Sequence, residues 1–158
     1  MRNSDSPLSK SARAQIADAL NAVVADALDL QGRVKTAHWN LRGPQFLTLH
    51  PFFDSLAAEL GTHIDEIAER VMTLGGITDG TAGSVVTLSR LPVFKPKGHT
   101  DSEYAQRVLD SIGAFLGGVN AARKVAEKQA DPDTVDMLTE TVSLFEKQAW
   151  FLRATLDS

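Results

Sequence analysis

A chain of 158 residues with 43% hydrophobic and 23% charged side chains can bury a real core as one domain and is too apolar for disorder. Its net charge of −4 argues against a surface that grips nucleic acid throughout, and the absence of cysteine removes disulfides, thiolate metal sites and cysteine nucleophiles. The polar start, MRNSDSPLSKSARAQ, lacks the apolar core of a secretory signal, and no run approaches the ~20 apolar residues of a membrane span, so a cytoplasmic protein is expected.

Residues 1–10 are rich in serine and charge and read as a flexible tail; the domain is expected over 11–158. From Ser11, apolar residues at Ile16, Leu20, Val23, Ala27, Leu30, Val34 and Ala37 recur at three- and four-residue intervals, which predicts a first amphipathic helix ending near Asn40. Gly43-Pro44 punctuates it. Phe53, Leu56, Leu60, Ile64, Ile67, Val71 and Leu74 define a second helix, stopped by Gly75-Gly76. Pro51 cannot donate to a helical ladder, so the helix either begins near it or has a kinked first turn. Between Gly76 and Gly98 the regularity is lost, with room for one short helix between Thr81 and Leu91; His99 beside Gly98 reads as exposed. Thr100 and Glu103 form a capping box before a third long helix through Tyr104, Val108, Ile112, Phe115, Val119, Ala122 and Ala126. Asp131-Pro132 supplies an N-cap acid and an N1 proline for a fourth, with Val135, Leu138, Val142, Phe145, Ala149, Leu152 and Leu156. The expected fold is all-α, a four-helix bundle with one long connection between the second and third helices.

The second helix carries metal-ligand types at helical spacing. His50 and Asp54 are four apart, as are Asp65 and Glu69, so each pair shares a helix side. At ~100° per residue all four lie roughly 130° from the apolar stripe, facing water or another subunit rather than their own core. The two pairs are separated along the axis by about 16 Å at the helical rise, far beyond the ~2 Å of a metal-ligand bond. One chain therefore cannot close them around one ion, whereas a two-fold axis laying the helix antiparallel on its copy can. Imidazole plus carboxylate suits iron, manganese or zinc, and iron best; His38 is the obvious remaining ligand.

AHWN at 37–40, the following RGPQF, LHPFFD at 49–54, DEIAERV at 65–71 and the pair Trp150-Phe151 together resemble the Dps family, the dodecameric mini-ferritins. The resemblance covers most of the chain. It implies a ferritin-like bundle assembled as a homododecamer that oxidises Fe(II), preferentially with hydrogen peroxide, and stores ferric mineral. It implies further that His38, His50 and Asp54 of one subunit join Asp65 and Glu69 of its dyad mate as the ferroxidase centre, with zinc or manganese competing for the same donors. Asp131, Asp133, Asp136 and Glu140 fall where the family builds an acidic entry pore. Pro51 stands where the family often has an acid that helps nucleation, which leaves that role to carboxylates such as Glu59. Trp39, next to a ligand, would take an oxidising equivalent or pack at the interface, and Trp150 reads as structural. His63 lies off the ligand stripe and reads as an interface or surface histidine, and Arg70 as an ion-pair partner between helices or subunits. The alternative function is nucleoid-associated DNA compaction. Twelve copies would carry about −48, with only Arg2, Lys10 and Arg13 as basic residues near the N-terminus to set against it.

Overall fold

A computed structural model describes residues 1–96 and 100–157, so His99 lies outside the described residues. Five helices follow one another: α1 (Lys10–Asn40), α2 (Phe46–Thr73), α3 (Ala82–Leu88), α4 (Asp101–Lys128) and α5 (Pro132–Leu156). No strand occurs among the described residues. α1 pairs with α2 and α4 with α5, and α1 also packs along α4, so the four long helices enclose one core while α3 rests on α1. The expected bundle and its short connecting helix are both present.

Each boundary has a local cause. Ser9 caps α1 by accepting from the Ala12 amide. The capping box of Thr100 and Glu103 forms as read, and Asp131 caps α5 with Pro132 in its first turn. α2 ends where Gly75 takes φ +80, a conformation that costs glycine nothing. Pro51 sits in the second turn of α2 rather than at its start. The bond it cannot make would go to the Leu47 carbonyl, which lies on a turn open to water, and this lets the helix run through the proline.

The periodic residues of all four long helices converge inside. Phe53, Tyr104, Phe115 and Phe145 are fully buried, with Phe115 and Phe145 edge to face at 5.2 Å. The connection through α3 is held by charge: the buried Asp26 carboxylate accepts from the Arg90 amide at 2.7 Å and from its guanidinium at 2.6 Å. Gly118 on α4 makes room for this pair, since a Cβ there would lie 2.5 Å from the Arg90 guanidinium.

Residues expected as a flexible tail lie along the end of α2. The Arg2 amide donates to the Gly75 carbonyl at 2.7 Å, Ser4 donates to the Thr73 carbonyl, and Arg13 donates to the carbonyls of Arg2 and Leu74.

Candidate metal centre

The turn between α1 and α2 sets His38 beside His50. It is fixed from below by Asp101, a buried carboxylate at the start of α4 that accepts from the Gln45 amide at 2.7 Å and from the Ser102 amide at 2.9 Å. The Asp101 amide in turn donates to the Arg42 carbonyl at 3.2 Å. Gly43 is required here: its φ is +152 and a Cβ would stand 2.3 Å from the Asp101 carboxylate. Sequence reading placed Asp101 only inside a capping box, and nothing in the residue order signals its grip on a turn 56 positions away.

On that turn the two imidazoles stack, ring centroids 3.8 Å apart, with Phe46 against the outer face of His50 at 4.9 Å. His38 Nδ1 lies 2.9 Å from the His50 backbone carbonyl. A carbonyl only accepts, so Nδ1 carries the proton and Nε2 is left with the lone pair to offer a cation. A backbone carbonyl fixing the second nitrogen is the usual way a metal-binding histidine is oriented.

Asp54 follows one turn after His50, and Lys35 Nζ donates to its Oδ1 at 2.7 Å. That hydrogen bond, and then the ammonium's charge, hold the Asp54 carboxyl below the usual aspartate value; partial desolvation opposes them, and smaller pulls come from His38 and His50. The Lys35 ammonium also lies 5.9 Å from the Trp39 ring centre. Sequence reading missed Lys35, although it stands one helical turn before His38 and so shares its side of α1.

Asp65 and Glu69 lie further along the same exposed side of α2 and make no hydrogen bond or ion pair among the described residues. Nor do the described residues of one chain gather three or more His, Asp or Glu side chains around a point that could hold a metal ion. His38 and His50 thus come together, with Asp54 one turn further along α2 and paired with Lys35, while Asp65 and Glu69 stand apart from them.

The acids expected at a pore divide. Asp131 is buried: it accepts from Arg70 at 2.8 Å, pairs with the Thr134 hydroxyl and caps α5, so it does not share the open surface of the others. Arg70 is thereby an inter-helix ion-pair partner. Asp133, Asp136 and Glu140 remain accessible, and with Glu66 and Glu69 they line one groove between α2 and α5. His63, expected at an interface or surface, is instead packed between α2 and α5: its ring meets Phe145 edge-on at 5.6 Å and its Nδ1 lies 3.3 Å from Glu66. Trp150 is 57% exposed with its ring over Phe151, less enclosed than a structural tryptophan was expected to be.

A family model described as a ferritin-like domain matches residues 17–158. The chain is 34% identical over 143 residues to DNA protection during starvation protein 2 of Bacillus anthracis, covering 90% of this chain and 97% of that one. It is 31% identical over 147 residues to the DNA protection during starvation protein of Agrobacterium fabrum, covering 93% and 91%. The crystal structure of a Dps protein from Bacillus brevis superposes with a TM-score of 0.87 at 33% identity, covering 92% of this chain and 97% of that one. With the bundle, the long α2–α4 connection and the outward row of ligand-type residues, these matches establish that the chain belongs to the Dps family of ferritin-like proteins.

Proposed function

We propose that this protein oxidises Fe(II), preferentially with hydrogen peroxide, at sites shared between two copies of the chain, and stores the ferric product within a cytoplasmic shell of twelve subunits. The observation that carries the reading is the division of one ligand row into two half-sites that a single chain leaves apart. The family's diiron chemistry needs both halves, and imidazoles with carboxylates are the donor set that accepts iron in both oxidation states, with zinc and manganese as competitors.

The exposed side of α2 supports an antiparallel partner by its register. Leu47 and Met72, His50 and Glu69, Asp54 and Asp65, and Ala58 and Gly61 are each equidistant from the midpoint between Glu59 and Leu60. A dyad through that midpoint sets His50 and Asp54 against the partner's acids and leaves small residues where the helices cross. Charge agrees with this arrangement, because Lys35 and two imidazoles mark one end of the row and two unpaired carboxylates the other.

In this reading Asp65 and Glu69 hold the tighter iron, Glu69 reaches the second, and His38, His50 and Asp54 complete the set. Two irons give up one electron each to one peroxide, so no one-electron reduction releases hydroxyl radical. Trp39, 70% exposed beside His38, either takes a stray oxidising equivalent or packs against the partner. The groove from Asp133, Asp136 and Glu140 to Glu69 lines an entry route with carboxylates that concentrate cations. The relatives' names speak of DNA protection, and removing iron and peroxide together protects DNA without contact. Direct compaction is the alternative function. The Arg2 backbone and the Arg13 guanidinium are both held at the end of α2, which weighs against it by shortening the reach of an already sparse basic tail toward a phosphate backbone.

Anaerobic loading with Fe(II) followed by peroxide is expected to consume one peroxide for each pair of irons. Replacing Asp65 and Glu69 together by Ala should abolish the fast phase; unchanged kinetics in that variant would sink the site assignment.

A further inference from the structure

Residues 2–8 form a strap across the end of α2, and their serines explain why. The Ser6 amide donates to the Ser4 hydroxyl at 3.1 Å and the Leu8 amide to the Ser6 hydroxyl at 3.4 Å, and Leu8 packs on the core before Ser9 caps α1. The end of α2 needs donors, because the last carbonyls of a helix have no partner within it. The Thr73 carbonyl accepts from the Ser4 hydroxyl at 2.6 Å, that of Leu74 from the Arg13 guanidinium at 3.0 Å, and that of Gly75 from the Arg2 amide at 2.7 Å. Gly75 also admits the strap, since a Cβ there would stand 2.6 Å from the Arg2 carbonyl. Between the strap and the start of α5 lies a cavity of about 540 Å³ whose lining includes Ser4, Asp5, Arg70, Thr73 and Asp133. Arg70, Thr73 and Asp133 also line the carboxylate groove between α2 and α5, so the two spaces share a wall. Asp5 on the strap and Asp133 on α5 are both exposed, and Asp133 comes no nearer to Arg70 than 3.9 Å.

We propose that residues 2–8 close the Asp133 end of the cation entry groove, so that the strap sets how fast a divalent cation reaches Asp133, Asp136 and Glu140. The inference rests on the entry-route reading above and deepens it by giving the strap a place in that route. Fixed carboxylates draw a cation in, and a wall pinned across their end narrows its approach. Asp5 supplies that approach with a carboxylate of its own. The strap bonds to the end of α2 and to no proposed ligand among the described residues. It therefore acts on the rate of arrival and not on the affinity of the metal site.

The test follows Co(II), which imidazole and carboxylate donors bind and peroxide-free buffer leaves unoxidised. Its arrival is read by stopped-flow absorbance on the full assembly, and the amount bound per chain at equilibrium is measured on the same samples. Deleting residues 2–8 should speed arrival by about threefold or more and leave the bound amount unchanged. Asp5→Lys keeps the strap and reverses its charge in the cavity. It should slow arrival by about threefold at low salt, and the difference should vanish near 0.5 M salt, where the screening length is about 4 Å. Because Asp5 is exposed, this variant decides the matter if the deletion loosens the end of α2. Asp136→Asn combined with Glu140→Gln removes groove carboxylates and should slow arrival whatever the strap does. Slowing in that pair, with Asp5→Lys equal to the wild type at low salt, would overturn the strap's role and leave the entry route standing. No slowing in that pair would overturn the route itself, and the role of the strap with it. An Asp5→Lys assembly that binds less Co(II) at equilibrium would also overturn the proposal, since the strap would then act on the site.

Discussion

At the scale of single residues, the donor types could be read from the chain but their partners could not. His38, His50, Asp54, Asp65 and Glu69 announce themselves by spacing, because a helix turns spacing into direction. Lys35 and Asp101 do not, since each acts through a residue distant in sequence, Asp54 on α2 in one case and Gln45 at the cap of α2 in the other. Asp131 falls between. Its role as N-cap of α5 could be read from Asp131-Pro132 and holds, but the Arg70 and Thr134 contacts that bury it, and so take it out of the open acids expected at a pore, could not. The Lys35–Asp54 pair also has a pH signature with a definite sign. The folded pKa of Asp54 is depressed, so what the pair contributes is present above the unfolded aspartate value of about 3.9 and lost as pH falls through the folded one. Denaturant titrations of wild type and Lys35→Met should therefore differ near neutrality and converge below that range; a difference that widened on acidification would contradict the assignment.

Among the elements, the four long helices were legible because each carries one apolar stripe and a recognisable start or stop, and α3 because loss of periodicity left room for only one turn-bounded segment. Pro51 was the exception. Its missing donor falls opposite a carbonyl on an exposed turn, which no pattern of hydrophobic residues reveals. α2 carries four of the five proposed ligands, and about its midpoint its outer side sets apolar against apolar, ligand type against ligand type and small against small residue. Leu47, 85% exposed, and Met72, 44% exposed, close the row at its two ends and would meet across the dyad. Leu47→Lys or Met72→Glu alone should weaken dimer formation by about tenfold or more, since each buries a lone charge against an apolar partner. The double variant should recover most of the loss by pairing the two charges. Dimer dissociation measured by analytical ultracentrifugation decides this, and a double variant no better than the sum of the singles would reject the register.

The whole molecule is a bundle whose interior is mainly apolar packing, with buried polar groups such as Asp26, Asp101 and Asp131 each paired, and whose row of ligand-type residues lies on its outside. That division explains why one chain holds no complete site among its described residues: the core of a four-helix bundle this tightly filled by Phe53, Phe115 and Phe145 leaves no room for a buried metal pair. In the proposed function, assembly is part of the active site rather than a container for it. Fold and ligand row follow from sequence periodicity, whereas the proposed centre needs a surface that a second copy would supply. The most direct test is native mass measured together with bound Co(II) per chain. A shell of twelve subunits of 17.0 kDa that binds two Co(II) per chain, and loses both when Asp65→Ala and Glu69→Ala are combined, is the predicted result. A 17.0 kDa monomer that binds Co(II) with the affinity of the assembly would contradict the shared site.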